Sequence, residues 1–130
     1  MSIFSKIVKG EISCYKIAES DNYFAFLDIN PLARGHSLVI PKQEIDYIFD
    51  LDDDLLAGLM VFAKKVATAI EKIISCERIG IAVVGLEVPH AHVHLIPINQ
   101  IDDISFSRPK LKLSNEELAD IAAQIRRIMC

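Results

Sequence analysis

The chain has 130 residues, 52% of them hydrophobic, and sets 14 Lys and Arg against 18 Asp and Glu for a net charge of -4. That size and apolarity exclude a disordered segment and allow one packed domain. The acidic balance, with no basic stripe, excludes the footprint of a dedicated nucleic-acid binder, so a phosphate-bearing ligand must find positive charge locally.

The opening MSIFSKIVKG carries Lys6 and Lys9, which interrupt any apolar run of signal-peptide length. Ile3 to Val8 reads as a short helix or turn. Cys14 to Glu19 reads as a first strand, Asp21-Asn22 as a turn, and Tyr23 to Asp28 as a second strand. Asn30-Pro31 through Gly35 turns the chain into a third strand, His36 to Ile40, which Pro41 ends. This spacing predicts an antiparallel meander.

Asp50 to Asp54 places acidic residues where the positive end of a helix dipole favours them. Leu55, Leu59, Phe62, Ala63, Val66, Ala69, Ile70 and Ile73 then recur at helical steps, predicting a long helix that ends near Ser75. Ile79 to Val84 and Ala91 to Ile98 read as two more strands, separated at Gly85. Ser114 with Glu117 forms a capping box for a last helix, whose stripe is Leu118, Ile121, Ala122, Ile125 and Ile128. The sum is an α+β domain: a mostly antiparallel sheet of about five strands with helices on one side. No stretch reaches the roughly 20 apolar residues of a membrane span. Cys14, Cys76 and Cys130 form no CxxC pair and no disulfide framework, which suits a reduced cytoplasm.

Three of the four histidines stand in PHAHVHLIP. On a strand, His90, His92 and His94 share one face while Ala91, Val93 and Leu95 point to the core. Three readings of that face are open. It is a solvated face that carries histidine; a metal site, since imidazole is a common zinc ligand; or a place of phosphate chemistry. In the last, a neutral imidazole attacks phosphorus and its neighbours stabilise charge on the phosphate oxygens. His36, alone on its strand, reads as a hydrogen-bonded core residue.

His90-Ala91-His92-Val93-His94-Leu95-Ile96 resembles the signature of the histidine-triad (HIT) family, in which histidines alternate with apolar residues. IFSKIVKGEI and FLDINPLARGHSLVIPK resemble its Hint-like, or HIT-hydrolase, branch, so the likeness runs along nearly the whole chain. It implies one HIT domain over residues 1–130, with a long central helix and a C-terminal helix, assembled as a homodimer whose two sheets join. It implies that His92 is the nucleophile on the α-phosphorus of a purine nucleoside phosphoramidate or dinucleoside polyphosphate, through a covalent nucleotidyl-histidine. His94 then hydrogen-bonds phosphate oxygens, and His90 orients the nucleophile and serves the leaving-group side. Asp28 binds the ribose hydroxyls, and Ile3, Phe4, Ile7, Leu27 and Ile29 form the purine slot. No cofactor, nucleic acid or membrane enters this reading, and its compartment is the cytoplasm.

Two departures from the family pattern stand out. Before the triad, Leu86 replaces an amide and Glu87 a hydroxyl, in a stretch that supplies phosphate and leaving-group contacts in relatives. Glu87 is therefore expected in the nucleotide site, where it alters leaving-group choice. Many bacterial relatives also hold a structural zinc with an N-terminal CxxC, a later histidine and the first triad histidine. Here Ser2, Ser5 and Glu44 stand at the first three positions, so no structural zinc is expected. The expected function is thus a HIT-type nucleotide hydrolase or nucleotidyltransferase. The alternatives are a purine-nucleotide binding protein with little turnover and a metal-dependent hydrolase.

Overall fold

A computed structural model describes residues 1–130. Helix α1 spans Ile3–Val8, and Ser2 caps it by accepting the Ser5 N–H at 3.0 Å. Strands β1 (Lys16–Glu19), β2 (Tyr23–Leu27) and β3 (Ser37–Pro41) follow, and β1, β2 and β3 form the expected antiparallel meander. Helix α2 spans Asp53–Ile73, and its N-cap Asp52 accepts from Leu55 N at 2.8 Å. Such a cap is worth about 1 kcal/mol. Strands β4 (Arg78–Ala82) and β5 (Val93–Ile98) complete the sheet, and α3 (Asn115–Met129) starts at Ser114 with the capping box in place. Two 3-10 turns, Ile48–Asp50 and Ile101–Ile104, have no periodic signal in the sequence.

The five strands lie in the order β1-β2-β3-β5-β4, antiparallel throughout. Alternation along each strand sends Ala25, Leu27, Val39, Val93 and Leu95 to one face. There they meet Leu59, Phe62, Val66 and Ile70 of α2 and Leu118, Ile121 and Ile125 of α3 in one core. Each fully buried Ile or Leu side chain contributes about 1.5–3 kcal/mol of transfer free energy. Gly58 leaves room on α2 for the Tyr23 side chain, since a Cβ there would lie 2.0 Å from the Tyr23 hydroxyl.

Two expectations need correction. The helices are not all on one side: α1 packs Phe4 against Phe24, Phe26, Leu38 and Ile40 on the opposite face. Second, the strand read as Ala91 to Ile98 begins only at Val93. Extending the register Val39↔Val93 would set Ala91 against Pro41, which has no N–H to offer. Ala91 N instead donates to Ile45 O at 2.7 Å, in the loop after β3. Of the triad, only His94 sits in the ladder.

Candidate active site

The face that carries α1 also carries the histidines. Cross-strand pairing sets Phe26, Leu38 and His94 side by side on β2, β3 and β5. Beside them opens a cavity of about 270 Å³. Ile3, Phe4 and Ile7 line it from α1, Asp28 and Ile29 from the end of β2, Glu87 from the loop before the triad, and His92 and His94 from its floor. Leu27 borders it as well, although its side chain belongs to the core beneath α2 and α3. The sequence reading missed Phe26, Leu38 and Val88, which also line it. Strand alternation is the signal that finds Phe26, since it faces opposite to Leu27.

His90 is fully buried and does not line this cavity. Its Nε2 lies 2.8 Å from the Pro41 carbonyl and its Nδ1 2.8 Å from Ser2 Oγ. Burial lowers its pKa, so the ring is neutral and carries one hydrogen. A carbonyl only accepts, so that hydrogen sits on Nε2 and the Ser2 hydroxyl donates to Nδ1. Both nitrogens are spent inside the protein, which leaves none for the leaving-group contact that the family resemblance implies.

The His90 backbone does reach His92. Its carbonyl accepts from His92 Nδ1 at 2.7 Å. With the Nδ1 hydrogen fixed there, Nε2 is the ring nitrogen left to carry a lone pair. The edge of Phe4 packs on His92 at 5.0 Å between centroids, and His94 meets it from the other side, also at 5.0 Å.

His94 has its own chain of partners, and His36 heads it. Leu32 N donates to His36 Nδ1 at 3.0 Å, and His36 Nε2 lies 3.0 Å from His94 Nδ1. Burial first, and then the charge of His94, drive the His36 pKa down to about 3. Burial and His92 take that of His94 down to about 4. Both rings are therefore neutral at pH 7. His36 must carry its hydrogen on Nε2 and give it to His94 Nδ1, which places the His94 hydrogen on Nε2 as a donor. Phe106 closes over the pair, 4.7 Å from His94 and 6.3 Å from His36.

Asp28 Oδ1 accepts from Asn30 N at 2.8 Å, while Oδ2 lies 3.6 Å from His36 Nε2. Desolvation raises its pKa, the Asn30 N–H and His92 oppose that, and the Glu87 charge adds to it. Asp28, His36 and His94 bring ligand atoms within 4.8 Å of one another. This trio is nonetheless a poor metal site. The Leu32 N–H claims His36 Nδ1, so Nε2 holds the ring hydrogen and has no lone pair for a cation.

His92 also borders a second cavity, of about 150 Å³, lined by Asp46, Tyr47, Ile48, Phe49, Val83, Val84, Gly85 and Ala91. Neither cavity is lined by Lys or Arg. Leu86 is 88% exposed and lines neither.

A family model described as the HIT domain matches residues 9–101. A HIT-like protein of Borreliella burgdorferi is 38% identical over 95% of this chain and 94% of its own length. An adenosine 5'-monophosphoramidase of Schizosaccharomyces pombe is 37% identical over 95% of this chain and 94% of its own. Among solved structures, a HIT-like protein of Bartonella henselae superposes with a TM-score of 0.85 at 30% identity, covering 98% of this chain and 95% of that one. Helix α3 lies beyond the matched stretch but shares its core with α2. No helix is long and apolar enough to cross a membrane. With His92 and His94 at one cavity and these similarities along its length, the chain belongs to the histidine-triad (HIT) family.

Proposed function

We propose that this chain is a HIT-type nucleotide hydrolase or nucleotidyltransferase that works through His92. The observation that carries the reading is the 2.7 Å contact from His92 Nδ1 to the His90 carbonyl. It leaves Nε2 as the nucleophilic nitrogen beside a nucleoside-sized cavity. A nucleotide whose base lies among Ile3, Phe4, Ile7 and Ile29 would set its ribose at Asp28 and its α-phosphate between His92 and His94. His92 Nε2 then bonds to phosphorus as the P–N bond to the leaving amine breaks, and the amine takes a proton from solvent water. Water next attacks the nucleotidyl-histidine, which returns free His92 and a nucleoside monophosphate. The His94 Nε2–H donates to the phosphate oxygens as charge builds on them.

The similarity to an adenosine 5'-monophosphoramidase supports a purine nucleoside phosphoramidate as substrate. The family's homodimer fits the edge strand β4, which leaves Ile81, Val83 and Val84 exposed at its end of the sheet.

The test is release of AMP from adenosine 5'-monophosphoramidate by purified protein, with intact-mass detection of a nucleotidyl adduct. Wild type should turn over and His92→Ala should not. One observation favours a second reading, a nucleotide-binding protein with little turnover: the Glu87 carboxylate sits in the same cavity as Asp28. AMP binding by calorimetry without product release would select that reading.

A further inference from the structure

The positions at which relatives hold a zinc carry Ser2, Ser5 and Glu44, with His90 as the fourth. These side chains touch one another. Ser5 Oγ donates to Glu44 Oε1 at 2.7 Å, and the Ser2 backbone N–H donates to the same oxygen. Ser2 Oγ accepts from Ser5 N at 3.0 Å. The Ser2 hydroxyl hydrogen faces two acceptors, Ser5 Oγ at 3.3 Å and His90 Nδ1 at 2.8 Å. The shorter contact takes it, since His90 Nδ1 has no other donor as close, Ser5 Oγ lying 3.4 Å away.

This set does not fit zinc. Tetrahedral bonds of about 2.0–2.3 Å hold ligand atoms roughly 3.3–3.8 Å apart, and serine hydroxyls replace the thiolates that such sites use. Here the contacts of 2.7 and 2.8 Å are shorter than that spacing and are hydrogen bonds between the would-be ligands themselves. No buried side-chain nitrogen or oxygen in the chain lacks a hydrogen-bond partner, so Ser2, Ser5 and His90 leave nothing unmet for an ion to satisfy.

We propose that Ser2, Ser5 and Glu44 form a metal-free clasp that fixes the His90 tautomer and ties helix α1 to the nucleophile. Two links follow from the geometry. The Ser2 hydroxyl holds Nδ1 of His90 as an acceptor, Nε2–H of the same ring anchors to Pro41, and the His90 carbonyl orients His92. Glu44 joins the loop after β3 to the start of α1, the helix that carries Ile3, Phe4 and Ile7 into the cavity. Ser2 is thus a positioning residue for His92, and Ser5 with Glu44 for the purine slot. Only the kinetic consequences rest on the function proposed above.

The experiment combines 15N NMR of the histidine rings, zinc retention and kinetics on adenosine 5'-monophosphoramidate. In wild type, His90 should show an unprotonated, hydrogen-bonded Nδ1 and a protonated Nε2. Ser2→Ala should shift the Nδ1 resonance and lower kcat about tenfold, the lower end of what loss of an outer hydrogen-bond partner costs a site. Ser2→Thr, which keeps the hydroxyl and the helix cap, should restore both. Ser5→Ala leaves the Ser2–His90 contact in place, so it should keep the NMR signature and raise KM instead. Wild type incubated with zinc and desalted should retain no stoichiometric metal. Unchanged His90 resonances in Ser2→Ala, or one zinc per chain that Ser2→Ala abolishes, would overturn the clasp. If wild type and His92→Ala prove equally inactive, the proposed activity fails, while the NMR and zinc results still decide the clasp.

Discussion

His36 Nε2 stands 3.0 Å from His94 Nδ1, and the backbone N–H of Leu32 holds the far nitrogen of His36 at 3.0 Å. One main-chain hydrogen thereby sets the tautomers of two rings in series. The outcome is a His94 that offers a hydrogen, rather than a lone pair, to an anion.

Removing His36 should therefore cost catalysis more than binding. In His36→Asn, His94 is free to place its hydrogen on Nδ1 and to turn a lone pair toward phosphate oxygen. The expected loss in kcat is about ten- to a hundredfold, on the scale of other outer hydrogen-bond partners. Steady-state kinetics together with the His94 15N shifts would check it. Normal kcat with a changed tautomer would mean that His94 does not donate to the reacting phosphate.

Acid should destabilise the fold before most carboxylates titrate. The folded pKa values of His36 and His94 lie at about 3 and about 4, below the 6.5 of an unconstrained histidine. Between those limits the unfolded chain binds protons that the native state does not, so stability falls as pH drops below 6.5. The slope is about 1.4 kcal/mol per pH unit for each such group. Chemical denaturation at pH 7 and pH 5 should show the loss, and His36→Asn should flatten it. Glu44, whose bonds to Ser2 and Ser5 hold its pKa down to about 2, adds nothing between pH 7 and pH 5.

Glu87 should discriminate among leaving groups. It lines the cavity with Asp28 and its charge raises the Asp28 pKa, so it is felt where an anionic ligand would lie. Replacing it with serine removes a repulsion of about 1 kcal/mol at solvent-screened distances, roughly fivefold in rate. Glu87→Ser should therefore gain on a dinucleoside polyphosphate relative to adenosine 5'-monophosphoramidate, most clearly at low salt. Identical specificity ratios for the two proteins would dismiss the idea.

Strand β4 should be the joint of a homodimer. It ends the sheet with an unpaired edge, and Ile81 on it is 49% exposed. An unpaired apolar edge of this kind is a template for pairing with another chain. Ile81→Lys should convert a wild-type dimer to monomer in light scattering, with the same far-UV circular dichroism. A dimer of unchanged affinity would place the contact elsewhere.

Local sequence was informative wherever a side chain decides its own neighbourhood. Asp52 and Ser114 start their helices because their oxygens meet backbone hydrogens three residues on. The apolar stripe of α2 is buried because helical spacing leaves it one face. The alternation of His92 and His94 with Val93 and Leu95 likewise foretold which side is core and which is cavity.

What the chain alone did not reveal are the relations between distant segments. Nothing local to His90 says that Ser2, 88 residues earlier, and the Pro41 carbonyl occupy its two nitrogens. Nothing in GHSLVIPK says that His36 sets the hydrogen of His94, 58 residues later. Periodicity also extended β5 back to Ala91, because it cannot see that the partner position is a proline. The sequence by itself determined that His92 and His94 share one face and Val93 and Leu95 the other, since side-chain alternation is a property of the strand. Only the tertiary structure decided where each ring hydrogen sits, because in a buried site that depends on which distant donor or acceptor the fold brings within 3 Å.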